Sequence, residues 1–238
     1  MAGMPPAPPP ASRRVDPGWR AAAVAGLAAL LAFALLTVAV LAPWAALIAA
    51  DREVSTPAMR FADDAGLRGL LVAWQAASMP SCAHGALTVI AALAWWRHRQ
   101  TRRVLLALAA AYLTWWLTPI LKNAVDRPRP QVPDPLWGIG GYSFPSGHAA
   151  NVTAAALALG IVLWPVMPAS GRRWVAAGGG AVVVLTCADR VLLGVHYLTD
   201  VLAGVLLGAG IGCLALAGTR FHRITNREAL PAGIPRAA

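Results

Sequence analysis

The sequence predicts an all-α fold, a polytopic membrane helix bundle with six transmembrane helices. Three observations carry that prediction. The 238 residues are 58% hydrophobic and only 13% charged, where a soluble domain carries about a quarter charged residues. Mean hydropathy is +0.59. The apolar residues fall into long runs separated by short clusters of arginine, the pattern in which membrane topology is written. The net charge of +10 therefore marks loop orientation rather than a nucleic-acid partner. Cys82, Cys187 and Cys213 lie in apolar surroundings without metal-ligand spacing and read as small packing residues.

Residues 1–19, rich in Pro and Ala, cannot build a core and are expected to form a disordered cytoplasmic tail. Ala21 to Leu41 is almost unbroken Ala, Leu, Val and Phe, and apolar residues continue to Ala50; this is a first span, too long for the core of a signal peptide. Residues 51–66, with Asp51, Glu53, Asp63 and Asp64, read as a polar loop with at most an interfacial helical turn. The second run, Gly69 to Trp96, is interrupted by Ser78, Pro80, Ser81 and His84. Its length fits a tilted or kinked helix, or a re-entrant lead-in followed by a span. His84 reads as a histidine near the membrane surface, with a pocket residue as the alternative.

Span three is expected over Val104 to Leu121, span four over Ala149 to Trp164, span five over Trp174 to Ala188 and span six over Val201 to Ala217. In the last, Gly204, Gly208 and Gly212 recur every four residues, a small-residue face for close helix packing. A basic tail, 220–238, closes the chain. Six spans put both termini on one side. The segments on that side carry 13 arginines and two acids, against seven basic and eight acidic residues opposite. The positive-inside rule makes the first side cytoplasmic. The loop from Lys122 to His148 and the turn near Arg190 to Thr199 then face the periplasm or exterior.

The chemistry sits in those two outer segments. The first holds Lys122, the only lysine, with Arg127 and Arg129 in D-R-P-R-P, and ends in Pro145-Ser146-Gly147-His148 at the expected N-terminus of span four. Free backbone N–H groups and the helix dipole favour an anion there, and an arginine fork matches phosphate oxygens. Gly147 allows close backbone approach, Ser146 adds a hydroxyl donor, and His148 is available as an acid. In the second segment Asp189 and Arg190 end an apolar span, where charges face a cavity and a partner. If span six begins its helix early, His196 and Asp200 share a face, and the carboxylate holds one imidazole nitrogen while the other lone pair points outward.

These residues resemble the three signature motifs of the type 2 phosphatidic acid phosphatase superfamily: membrane lipid-phosphate phosphatases related to vanadium haloperoxidases and bacterial acid phosphatases. Lys122, Arg129 and Pro130 match the first motif, Pro145 to His148 the second, and Arg190, His196 and Asp200 the third, whose leading serine is Asp189 here. The resemblance implies that residues 20–219 form a six-span phosphatase domain of the plasma membrane. It implies His196 as the nucleophile that becomes a phosphohistidine, Asp200 as its orienter and His148 as acid and then base. Lys122, Arg129, Ser146, Gly147 and Arg190 would hold the phosphate, with no metal or other cofactor. The partner implied is a lipid phosphate in the bilayer: polyprenyl diphosphate, phosphatidic acid or phosphatidylglycerophosphate. The alternative is a lipid-phosphate binding or transport protein on the same scaffold without turnover. Asp189 is expected to oppose phosphate unless it pairs with Arg127 or points away. The sequence does not determine which lipid or which oligomeric state.

Overall fold

The computed structural model describes residues 18–42, 44–131 and 140–228, with the backbone alone for 222–228. Of the two expected tails, 1–17 and 229–238 lie outside the described residues, as do 132–139 of the outer loop. The chain forms eight helices: α1 (Gly18–Leu41), α2 (Ala45–Asp64), α3 (Arg68–Ala77), α4 (Pro80–His98), α5 (Thr101–Val125), α6 (Gly147–Leu163), α7 (Ala169–Leu192) and α8 (Leu198–Glu228).

Four of these, α1, α5, α7 and α8, are long and apolar enough to cross a membrane. Helices α3 and α4, bent by 44° at their junction, are together long and apolar enough for one further crossing or a re-entrant loop. The break falls at Ser78 and Met79, just before Pro80, which opens α4 at a position where its missing N–H costs nothing. The expected fourth span is the short apolar helix α6, of 17 residues.

Helix α6 is the hub of the bundle, packed against α4, α5, α7 and α8. Its sequence is rich in alanine, and Ala149, Ala150, Ala154, Ala155 and Ala158 are all buried, as a helix surrounded on every side requires. Against it, α8 presents the three glycines the sequence singles out. A Cβ on Gly204 would meet the Ser146 carbonyl oxygen at 2.5 Å, one on Gly208 would strike the Ala150 carbonyl oxygen, and one on Gly212 would meet Leu157 Cδ1 at 2.7 Å. At Gly204 and Gly208 the helix backbones touch, so no side chain fits between them, and at Gly212 the Leu157 side chain fills the space. On its other face α8 packs against α1, where a Cβ on Gly26 would lie 3.0 Å from the Gly210 carbonyl oxygen. The rest of α1 turns outward: Val24, Leu27, Leu31, Leu35 and Val38 are all exposed, as a lipid-facing helix demands.

Two expectations need correction. Residues 51–66 are no loop: Ala45–Asp64 is a helix, with Pro57 inside it. Asp51, Ser55, Ala58 and Ala62, spaced four, three and four apart, face inward along it; Asp51, Ser55 and Ala62 are buried, and Ala58 packs beside Ala149, Val191 and Val201. That stripe docks α2 on α7 and α8. Its acids hid the helix because they lie on both faces. His84 is not at the surface. It is fully buried, with Nδ1 2.8 Å from the Pro80 carbonyl oxygen and Nε2 3.0 Å from that of Ala111, edge-on to Tyr112 and Trp115. The ring lies between a carbonyl of α4 and one of α5, and in a neutral imidazole only the nitrogen that carries the proton donates.

Candidate functional site

One end of the bundle collects all the residues the sequence marks. Lys122 lies in the last turn of α5, and Arg127 and Arg129 in the strand-like exit that follows it. Ser146 is the N-cap of α6, with Gly147 and His148 its first two residues. Arg190 lies in the last turn of α7, His196 in the turn that joins α7 to α8, and Asp200 in the first turn of α8. The expectation that His196 and Asp200 share a helix face is corrected in detail, since α8 begins only at Leu198 and His196 precedes it. The turn nevertheless folds back, because the Tyr197 N–H donates to Asp200 Oδ2 at 2.9 Å.

The two histidines present different faces to the site. His196 turns Nδ1 toward Asp200 Oδ2 at 3.6 Å and Nε2 toward Arg129 Nη1 at 3.3 Å. The Asp200 separation is just longer than a hydrogen bond; catalytic contacts of this kind often tighten only when substrate binds. Burial pushes the His196 imidazole down to about 4, against the opposing pull of Asp200. The ring is thus neutral at pH 7, with a lone pair to use. His148 Nδ1 lies 3.5 Å from Arg190 Nη1, and its Nε2 is buried with no hydrogen-bond partner among the described residues.

Among the described residues, two of the cations, Lys122 and Arg129, are held by backbone oxygens and not by acids. Lys122 Nζ donates to the carbonyls of Tyr142 (2.6 Å) and Ser143 (3.3 Å). Arg129 donates to those of Val195 (2.7 Å), Gly141 (3.1 Å) and Gly140 (3.3 Å). Burial, with Arg190 nearby, lowers the Arg129 pKa, while Asp200 opposes the shift. Carbonyl partners hold a guanidinium in place without neutralising it, so its positive charge stays available to an anion. Ser146 makes no capping bond, the usual employment of a serine there. Its buried Oγ has no protein partner among the described residues, while its N–H donates to the Asp200 carbonyl at 2.9 Å and joins the second motif to the third. A Cβ on Gly147 would sit 3.8 Å from Lys122 Cε, which places the start of α6 against the first motif.

Asp189 does not pair with Arg127, one of the two courses expected of it. Arg190 donates to Asp189 Oδ2 from Nε at 2.8 Å and also from Nη2. Both side chains are buried, and two adjacent charges out of water have no closer counter-charge than each other. Arg127 is committed elsewhere, to Asp51 and Asp200. Those ties, and Thr199 beside them, are the part of the site that sequence reasoning missed. The available signal was Asp51 itself, a carboxylate at the end of a long apolar run.

Fold and site together define a polytopic α-helical membrane protein with a cationic, two-histidine centre at one end of its bundle. The chain belongs to the PAP2 superfamily, whose sequence profile matches residues 100–223, more than half of its length. It is 34% identical over 119 residues to the decaprenylphosphoryl-5-phosphoribose phosphatase of Mycobacterium tuberculosis (strain CDC 1551 / Oshkosh), covering 49% of this chain and 61% of that protein. It is 34% identical over 124 residues to phosphatidylglycerophosphatase B of Bacillus subtilis (strain 168), covering 51% and 61%. The chain thus spans less than two thirds of the length of these curated relatives. Its fold matches the crystal structure of a transmembrane PAP2-type phosphatidylglycerolphosphate phosphatase from Bacillus subtilis with a TM-score of 0.70 and 25% identity, over 87% of this chain and 98% of that one.

Proposed function

We propose that this protein is an integral membrane phosphatase that hydrolyses a lipid phosphate or diphosphate at the outer leaflet through a phosphohistidine on His196. The observation that carries the reading is the convergence of three motif cations, a neutral buried histidine backed by a carboxylate, and unpartnered donors on Ser146 and His148. His196 Nε2 attacks phosphorus as the bond to the leaving oxygen breaks, and His148 gives that oxygen a proton. His148 then takes a proton from water, whose oxygen attacks phosphorus and breaks the P–N bond. Lys122, Arg129 and Arg190, with the Ser146 hydroxyl and the Gly147 N–H, stabilise the equatorial charge. Purified protein in EDTA should release phosphate from prenyl or glycerolipid phosphates; failure on every member of such a panel would favour the binding or transport alternative. The acid limb of kcat/KM is expected well below the ordinary histidine range, since His196 resists protonation.

A six-crossing topology supports the outer-leaflet assignment. Gln100 Nε2 donates to the Val162 carbonyl (2.8 Å) and Arg103 Nη1 to that of Ile161 (3.1 Å), so α6 ends level with the start of α5. Its beginning meets Lys122 at the other end of α5. Helix α6 thus runs beside α5 from end to end, which supports reading it as a crossing, and 17 residues is the short end of what a crossing needs. The arginine bias then supports cytoplasmic termini and a site on the outside.

A lipid rather than a soluble phosphate is favoured by an apolar cavity of about 520 Å³ between α4, α6 and α7. Its lining includes Cys82, Ala86, Val152, Ala156, Gly178 and Val182, and Val152 lies one helical turn from His148. A Cβ on Gly178 would meet nothing within 4 Å, so Gly178→Leu narrows the cavity without disturbing the fold. That variant is expected to lose about tenfold in kcat/KM on a long-chain lipid phosphate and little on a short-chain analogue. Equal losses on both would remove the cavity from substrate binding.

Asp189→Ser frees Arg190 Nε and Nη2 for phosphate and is expected to retain or raise activity. It leaves a buried guanidinium without its carboxylate, so the melting temperature should fall. Complete loss of activity in folded protein would mean that Asp189 has an essential role.

A further inference from the structure

We infer that Asp51 and Arg127 are positioning residues that fix Asp200, and through it His196, from helix α2. This inference rests on the reading of His196 as nucleophile. Asp51 stands outside the part of the chain that the family profile matches, and its side chain is almost wholly buried. Asp51 Oδ1 accepts the Thr199 N–H at 3.0 Å, and Oδ2 accepts the Thr199 hydroxyl at 2.6 Å. Thr199 lies in the first turn of α8, where backbone N–H groups have no partner within the helix. A carboxylate from α2 thus caps the helix that carries Asp200.

Arg127 closes the arrangement. Its Nη2 donates to Asp51 Oδ2 at 2.7 Å and its Nη1 to Asp200 Oδ1 at 2.5 Å and Thr199 Oγ1 at 2.7 Å. Its guanidinium carbon sits 4.4 Å from the centre of the Tyr197 ring. Against burial, which pulls it down, Asp200 and Asp51 hold the Arg127 pKa above its usual value. With Oδ1 held by Arg127 and Oδ2 by the Tyr197 N–H, the Asp200 carboxylate has one orientation left, and that orientation aims Oδ2 at His196 Nδ1. Neither Asp51 nor Arg127 donates toward the space between Arg129, Arg190 and Ser146, so the relay sets the nucleophile's aim and leaves phosphate binding to other groups.

The test separates aim from binding. Asp51→Ala is expected to lower kcat on the order of 10²-fold, the cost of a small misplacement of a reacting group. KM, and inhibition by inorganic phosphate, should stay within about twofold of wild type. Asp51→Asn, which keeps one acceptor oxygen for Thr199 but loses the other and the charge, should fall between the two. Wild-type kcat in Asp51→Ala would overturn the relay, as would KM and phosphate inhibition rising in step with the loss of kcat. Thermal unfolding of Asp51→Asn, Arg127→Gln and the double variant in detergent reads the same coupling without turnover and without the alanine variant. Non-additive shifts are expected, and additive ones would overturn the relay. Absence of turnover in the wild type would instead sink the proposed function, and the thermal cycle would still decide whether Asp51 and Arg127 act as one unit.

Discussion

His196→Ala is expected to abolish phosphate release, by on the order of 10⁴-fold or more, while leaving the protein folded. Magnitudes of this order follow when the nucleophile of a covalent mechanism is removed, because the remaining groups only position and stabilise. The imidazole makes few bonds that the fold needs: among the described residues its Nδ1 lacks a hydrogen-bond partner and its Nε2 meets Arg129. Folding is held instead by the backbone of the same turn, where the His196 N–H donates to the Arg190 carbonyl at 3.3 Å, a bond alanine keeps. The melting temperature of the variant should therefore stay close to wild type. Activity within tenfold of wild type would move the nucleophile elsewhere.

Gly208→Val is expected to cost the most stability. The added Cβ strikes the Ala150 carbonyl oxygen and approaches the Ala154 nitrogen and Thr153 Cβ at 3.0 Å. These are mostly backbone atoms of the central helix, which cannot turn aside as a flexible side chain would. Overpacking of this kind costs about 1–3 kcal/mol and occasionally more. The strain would also reach the site, because Ala150 donates its N–H to Ser146 at the start of the same helix. A large drop in melting temperature is expected, with weaker activity in whatever protein stays folded. Gly180→Ala, at a position where a Cβ meets nothing within 4 Å, is the matched control and should change neither. Equal behaviour of the two variants would mean that α6 and α8 do not pack through their glycines.

The site was more legible in the sequence than the fold around it. Lys122, Arg129, Ser146, His148, Arg190, His196 and Asp200 could be picked out because each is a polar residue near the start or finish of an apolar span, where such residues have few structural uses, and Gly147 because it sits between two of them and allows close backbone approach. The glycines of α8 were legible for a similar reason, since a four-residue repeat of the smallest side chain has a meaning on a helix. Helix α2 was hidden because its inward stripe is a mixture, Asp51 and Ser55 with Ala58 and Ala62. A hydrophobicity reading counts the first two as solvent-facing, and only their partners, Arg127 and Thr199 from far along the chain, make them inward-facing. Pairings were the least legible. Asp189 could be seen to need a cation, but which arginine it takes depends on where the last turn of α7 meets the exit from α5. Local sequence does not encode that distance.

The most direct test of the account is to trap the covalent intermediate. A lipid phosphate labelled in its phosphoryl group is mixed with purified protein, quenched in base and analysed for labelled histidine. The account predicts label on His196 in the wild type and none in His196→Ala. It also predicts more label in His148→Asn under a fast-reacting substrate, where hydrolysis of the P–N bond lacks its base. Label on another residue, or turnover with no labelled protein at any time point, would contradict it.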